Sequence, residues 1–436
     1  MLIELCIIIY ILVTIGIALL RKVETNDIGY MFAGRKLTTP AFVMTLVATW
    51  YGGVLEIGRF SYEYGVVTWL MFGIFYYFAA IFYSIVLVPK ISSNNFNTIP
   101  DAFNKTYGKL TGVVAAIIIV FIVSPAPYLK ILSTIIEHIY QINSFNAIMI
   151  ACTISMFYTI RGGFSSVVGT DKFQFVLMYS GFALVLIFLY INYGGYEFLS
   201  SKLPPQKLSI PGSLNWSYIF VWGFIAMITF IDPNFYQRTF AGVSRKSIQK
   251  GIYISVVLWF VFDLMSISIG LYAAAIIPEI QSSPYLDLSS RILPPILQAF
   301  FIIAMLSIVM STIDSFIFVS GFTIGKDILS SLIGQYEKNI YYTRIGIIIT
   351  AIISVVLATF FKNALDIWYI MGSFAVSALF IPLLCVLYNK RLTNPLLMLI
   401  IPIVITLGWF IRPLYPIDSM YPGLASSFIC FLVFRE

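Results

Sequence analysis

Long apolar runs recur along the whole chain, separated by short polar stretches. A helix of about 20 apolar residues crosses the hydrocarbon core of a bilayer, and thirteen runs approach or exceed that length. They cover 2–20, 40–60, 66–89, 110–138, 145–160, 166–192, 216–240, 251–277, 292–322, 343–361, 365–388, 395–412 and 419–434. The short alternating segments of a membrane β-barrel do not occur. The pattern therefore predicts an all-α polytopic membrane protein. No connection is long or polar enough for a separate soluble domain, so one transmembrane domain over 1–436 is expected. Arg21 and Lys22 follow the first run without a small-residue cleavage site, which reads as a retained helix and not a signal peptide.

Composition agrees: 60% of residues are hydrophobic and 10% charged, and the mean hydropathy is +0.95. The net charge of +7 would suit an anionic partner such as nucleic acid if it formed a patch. It does not. With the N-terminus outside and all thirteen runs crossing, 19 of the 26 Lys and Arg fall on the inner side, among them Arg21, Lys22, Lys90, Arg245, Lys246 and Arg391. The few on the outer side include Arg59, Lys130 and Lys362. The positive-inside rule thus sets the orientation, N-terminus outside and C-terminus cytoplasmic in a plasma membrane, and excludes nucleic acid. Cys6, Cys152, Cys385 and Cys430 sit apart within apolar runs and read as small packing residues.

Three interruptions carry the chemistry. Within the run 292–322 stands Ser311-Thr312-Ile313-Asp314-Ser315. On a helix Ser311, Thr312 and Ser315 share a face, and an Asp at bilayer depth costs roughly 2.5–3.5 kcal/mol and marks ion or substrate paths. Hydroxyls beside a carboxylate offer the hard oxygen ligands that suit an alkali or alkaline-earth cation. Gly52-Gly53 interrupts the second run at mid-depth, and Asp232-Pro233-Asn234 interrupts the seventh, five runs later. Interrupted helices in corresponding places of two halves point to a transporter's binding site.

These interruptions belong to an ordered set: Phe32-Ala33-Gly34-Arg35, Ala48-Thr49-Trp50-Tyr51-Gly52-Gly53, Arg161-Gly162-Gly163-Phe164 through Thr170-Asp171 with Gln174, Gln237-Arg238-Thr239-Phe240-Ala241, Met310-Ser311-Thr312-Ile313-Asp314-Ser315 and Lys326-Asp327. In this order and spacing the chain resembles the sodium:solute symporter family. The resemblance implies a LeuT-like fold. A leading helix and loop (2–39) precede two inverted five-helix repeats (40–192 and 216–388), and two trailing helices follow (395–436). It also implies sodium-driven alternating access, with Na⁺ as the cofactor ion, in a chain functional as a monomer.

Carried over position by position, the resemblance assigns a sodium site to the carbonyls of Ala48, Tyr51 and Ile308 and the hydroxyls of Ser311 and Thr312. A second sodium would fall to Asp171, Asp314 and Ser315, although Asp314 could instead pair with Lys172 or Arg238. The solute is expected between the broken helices, against Trp50, Leu55, Glu56, Phe72, Tyr76, Thr229 and Asp232. Glu56 either attracts a cationic group on the solute or pairs with Arg59 three residues on. The runs 48–53 and 231–233 look most like the branch that includes choline transporters. Ile225, Ile228 and Thr229 stand where sugar carriers place Asn and aromatic residues. An amine, an amino acid or an organic acid is therefore expected as cargo.

Other classes fit less well. The single His138 lies beside Glu137 near a helix end, and no metalloprotease, phosphate-loop or acyl-transfer constellation occurs, so the chain is not expected to be an enzyme. No filter motif of a channel is present. A solute sensor would need a signalling domain, and the chain stops at Glu436 just after the last run. A proton-coupled carrier of the same fold is the serious alternative, with Glu56, Asp171, Asp263 and Asp314 as proton sites. The hydroxyl pair Ser311/Thr312 favours Na⁺.

Overall fold

The computed structural model describes residues 2–21, 26–94, 96–361, 363–415 and 417–436, with no side-chain description for Tyr158. Lys22 and Lys362, used above for orientation, lie outside the described residues. Among the described residues nine helices are long and apolar enough to cross a membrane, and Thr39–Trp50 with Val54–Tyr64 forms a tenth span bent by 58°. Three shorter apolar helices, Ser144–Phe157, Pro395–Ile411 and Met420–Phe434, fall on the remaining expected runs. The only β pairing among the described residues is two isolated bridges, Leu37 with Gly242 and Leu392 with Arg435.

The burial pattern is that of a protein in lipid. Leu12, Ile117, Ile352, Phe360 and Val404 are exposed, whereas Asp171, Arg238, Asp263, Ser311, Thr312 and Asp314 are buried. A surface of this kind needs hydrocarbon around it, and polar groups at that depth turn inward. At the centre runs Pro295–Phe322, hereafter the ion helix, every residue of it buried from Ala304 to Ser315.

Local sequence explains the departures from straight helix. The first broken span ends at Trp50, and Tyr51, Gly52 and Gly53 make the turn before Val54. Gly52 is required there by close approach: a Cβ would lie 2.6 Å from three side-chain atoms of Thr312 on the ion helix. The second broken span runs as Trp216–Ile225, tightens to a 3₁₀ turn over Ala226–Phe230, opens at Ile231-Asp232 and resumes as Pro233–Ala241. Pro at the first helical position and Asp as N-cap restart it, Asp232 Oδ1 accepting the Asn234 N–H at 2.9 Å. The two expected runs 145–160 and 166–192 are joined in one helical stretch, Ser144–Tyr193, that turns at Gly163 (φ 60°), where a Cβ would come 2.6 Å from the Tyr30 carbonyl oxygen.

Where the ion helix continues into the wider π turn Thr323–Ser330, glycines let backbone meet backbone. A Cβ on Gly346 of the neighbouring helix Asn339–Phe360 would stand 2.1 Å from the Gly321 carbonyl oxygen, and one on Gly325 would stand 2.3 Å from the Thr343 amide nitrogen.

Candidate functional site

The two broken spans and the ion helix enclose a central cavity of about 150 Å³. Trp50, Tyr51, Phe72, Tyr76 and Asp232 line it, as the sequence led one to expect of all but Tyr51, together with Thr49, Tyr128, Trp222, Asn234, Phe235, Asp263 and Trp368. Trp50 sits at the core of the aromatic wall, its ring 5.3 Å from Tyr76, 5.5 Å from Phe235 and 5.1 Å from Trp259. On the other side Tyr128 packs against Phe316 at 4.8 Å and Trp368 at 5.7 Å.

Polar groups in this cavity are few and placed at different walls. Asp232 uses Oδ1 for Asn234 N and Nδ2, at 2.9 and 3.1 Å, and remains 9% exposed toward the cavity it lines. Asn234 Oδ1 is buried without a hydrogen-bond donor. The indole Nε1 of Trp222 and of Trp368 are buried without an acceptor. Asp263 accepts a short hydrogen bond from Tyr77. Buried polar groups left unsatisfied are uncommon in native proteins, and in a cavity they mark where a ligand completes the pairing.

Leu55, Glu56 and Thr229 do not line this cavity. Leu55 and Glu56 line a second, more polar one of about 140 Å³, with Arg59, Lys130, Ser283 and Asn363. There Glu56 pairs with Arg59 at 2.8 Å, the structural alternative foreseen for it. Helical phase is the cause: Gly53 and Ile57, one turn apart, line the central cavity, and Leu55 and Glu56 fall on the other side of Val54–Tyr64. Thr229 is fully buried in the 3₁₀ turn, its hydroxyl unpartnered.

Beside the central cavity lies a fully buried polar cluster. Thr312 donates its hydroxyl to the Thr49 carbonyl at 2.9 Å and reaches the Ile308 carbonyl at 3.2 Å. The Tyr51 carbonyl accepts the Val54 N–H at 2.9 Å, and Ala48 is fully buried nearby. Carbonyls have two lone pairs; the Tyr51 and Thr49 oxygens each use one in these bonds, while the Ile308 oxygen, inside the ion helix, takes both the helical N–H and the hydroxyl of Thr312. Ser311 donates to Asp171 Oδ1 at 2.6 Å, Thr45 makes a short hydrogen bond to Asp171 Oδ2, and Arg238 Nη2 lies 3.6 Å from that oxygen. Arg238 is fully buried and donates to the hydroxyls of Thr49 at 2.6 Å and Ser315 at 2.9 Å. Asp314, grouped with Asp171 and Ser315 in the sequence reading, is not among the partners of Arg238; it lies within electrostatic reach of Tyr10 on the leading helix.

Sequence reasoning passed over Thr49, which joins the two regions: it lines the cavity, its carbonyl holds Thr312, and its hydroxyl holds Arg238. Its place between Ala48 and Trp50, one residue before the break, was the available signal. Tyr128, Trp222 and Trp368 had none, because periodicity tells which face of a helix is inward but not which inward faces meet.

Comparisons with known proteins agree with this architecture. The sodium:solute symporter family model matches residues 30–398. A sodium/proline symporter of Staphylococcus aureus (strain Newman) is 22% identical over 378 residues, which are 80% of this chain and 73% of that one. A sodium/pantothenate symporter of Haemophilus influenzae is 26% identical over 309 residues, 66% of this chain and 63% of that one. Among solved structures, a substrate-bound, outward-open Na⁺-coupled sialic acid symporter superposes with a TM-score of 0.83 at 14% identity, covering 100% of this chain and 98% of that one. A nucleobase-cation-symport-1 family transporter, closed on bromovinylhydantoin, gives 0.60 at 14% identity over 94% and 96%. At such identities these two likenesses speak for the shared LeuT-type fold.

Proposed function

This chain belongs to the sodium:solute symporter family, and from that premise we propose that its cargo is a small solute bearing an ammonium group, an amino acid or amine. The chain is a sodium-coupled secondary transporter and not an enzyme. One Na⁺ crossing 100 mV supplies about 2.3 kcal/mol, and a tenfold gradient adds roughly 1.4 kcal/mol, enough for several-hundred-fold accumulation.

The observation that carries the solute reading is Asp232. Its carboxylate, like that of Asp263, lines a cavity walled mainly by aromatic and aliphatic side chains, with the unpartnered Asn234 Oδ1 beside Asp232. A carboxylate and an amide oxygen suit an ammonium, and ring faces such as Trp50 add cation–π attraction. The unpaired indole N–H groups of Trp222 and Trp368 could receive a carboxylate, which makes a zwitterion the better match. The proline symporters among the relatives carry such a solute. The likeness of 48–53 and 231–233 to the choline-transporter branch fits an amino-bearing solute, but a quaternary amine such as choline is a poor match, since the aromatic cage it wants is incomplete in this sequence.

The coupling ion is assigned to the carbonyls of Ala48, Tyr51 and Ile308 and the hydroxyls of Ser311 and Thr312. Support comes from Thr312, which already bridges the ion helix to the break, and from Gly52, which leaves room for that approach. Helices 40–192 and 216–388 act as the two inverted repeats, with 2–39 leading and 395–436 trailing. A functional monomer is supported by both broken spans of one chain lining the same cavity. The N-terminus faces outward in the plasma membrane, as the Lys and Arg distribution supports.

The test is uptake into proteoliposomes across a panel of amino acids, small amines, sugars and amine-free carboxylates, in Na⁺ against K⁺ buffer. Sodium-dependent uptake confined to amino-bearing solutes is expected. Uptake of a sugar or an amine-free acid, with no amino compound competing, overturns the reading.

A further inference from the structure

The sequence reading allowed a second sodium at Asp171 and Ser315. In the structure that position is already filled by a cation of the protein's own. Arg238 Nη2 lies inside a shell of five oxygens: Thr49 Oγ1 at 2.6 Å, Thr45 Oγ1 and Ser315 Oγ at 2.9 Å, the Thr45 carbonyl at 3.4 Å and Asp171 Oδ2 at 3.6 Å. These come from three elements, Thr39–Trp50, the stretch Ser144–Tyr193 and the ion helix. A buried oxygen set of one carboxylate, three hydroxyls and a carbonyl is what a hard monovalent cation would use.

The guanidinium is held there from behind as well. Nη1 reaches the Asn234 carbonyl at 3.4 Å, and the group stacks over the Phe164 ring at 5.4 Å. It does not lose its proton in proteins. With Asp171 it makes a neutral, fully buried pair, so a free Na⁺ entering the same shell would add an uncompensated charge in a low-dielectric interior.

We propose that Arg238 is a built-in cation that occupies the second cation site of Thr45, Thr49, Asp171 and Ser315, and that the chain therefore binds a single Na⁺. Arg238 lies on Pro233–Ala241, directly after the second break. The second broken span thus brings to the ion helix the charge that a second sodium supplies in a two-sodium carrier. The inference stands apart from the solute reading, since it concerns ions alone.

The experiment is equilibrium binding of ²²Na⁺ to the purified full chain in nanodiscs, with no solute present. Wild type is expected to saturate at one Na⁺ per chain. Arg238→Gln, which removes the charge and frees the oxygen shell, is expected to take up two, and Arg238→Lys to stay at one. If Arg238→Gln does not fold, Ser315→Ala, which removes one oxygen of the Arg238 shell and none of the first sodium site, decides in its place, with the count expected to remain at one. Two Na⁺ per wild-type chain, a single Na⁺ in folded Arg238→Gln, or fewer Na⁺ in Ser315→Ala than in wild type each overturns the proposal. A wrong solute leaves all these counts unchanged.

Discussion

Replacing Thr312 by Val tests the sodium site through a single oxygen. The side chain is fully buried, and its hydroxyl donates to the Thr49 carbonyl at 2.9 Å across the junction between the ion helix and the first break. Val keeps the shape, including the methyl that packs against Gly52, and deletes only the polar atom. An orphaned buried partner costs about 1–3 kcal/mol. If the same oxygen ligates Na⁺, that cost appears in ion affinity, as a rise of about 5- to 150-fold in the half-saturating sodium concentration at 1.4 kcal/mol per decade. Thr312→Ser keeps the oxygen and loses one methyl, worth about 0.8 kcal/mol of packing, so its stability falls while its sodium midpoint stays near wild type. Sodium titration of uptake, alongside sodium-dependent thermal shift in detergent, separates the two effects. The reasoning fails if Thr312→Val keeps the wild-type midpoint, or if Thr312→Ser shifts it as far as Val does.

Asp232→Asn retains an equally good N-cap for Pro233–Ala241 and removes the charge, so solute affinity should fall by about 10- to 150-fold, the value of a charge-assisted hydrogen bond of about 1.5–3 kcal/mol, with thermal stability held; competition binding measures it. Gly53→Ala sets a Cβ 2.0 Å from Trp368 Cη2, an overpacking of about 1–3 kcal/mol that pushes the indole into the cavity, and uptake should drop at least tenfold while membrane insertion, followed by immunoblot, persists. Glu56→Gln breaks a pair whose Arg59 side chain is 36% exposed; such pairs are worth less than about 1 kcal/mol, and a solute affinity that changed with it would return Glu56 to the binding site.

Much of this architecture was legible because lipid leaves few options. The thirteen apolar runs each fall on a helix, ten of them long enough to cross among the described residues when the bent pair is taken as one span and three shorter, and Gly52-Gly53 and Asp232-Pro233 each marked a real break. What periodicity could not supply was direction. Glu56 and Ile57 are neighbours just beyond Gly53, yet Ile57 lines the central cavity and Glu56 the second one. Tyr128, Trp222 and Trp368 come from spans that nothing local ties to the breaks. The partner of Arg238 was open among carboxylates until helix packing brought Asp171, and not Asp314, to it. The π turns 70–74, 83–87 and 323–330 were not read from the sequence, where their residues continue the apolar runs or their ends without a break signal.

The glycine seam between the ion helix and Asn339–Phe360 has a mechanical meaning. With the Gly321 carbonyl against Gly346 and Gly325 against the Thr343 backbone, the two helices approach backbone to backbone, and Thr350 donates to the Ser320 hydroxyl at 3.0 Å across the same seam, so a tilt of one drags the other. The hydroxyls of Ser311 and Thr312 therefore ride on a stiff two-helix beam, while the broken spans facing them are jointed. At the site proposed for it, sodium would act as a clutch: bound, it would engage the jointed spans to the beam through the carbonyls beside Gly52; released, it would leave them free to swing.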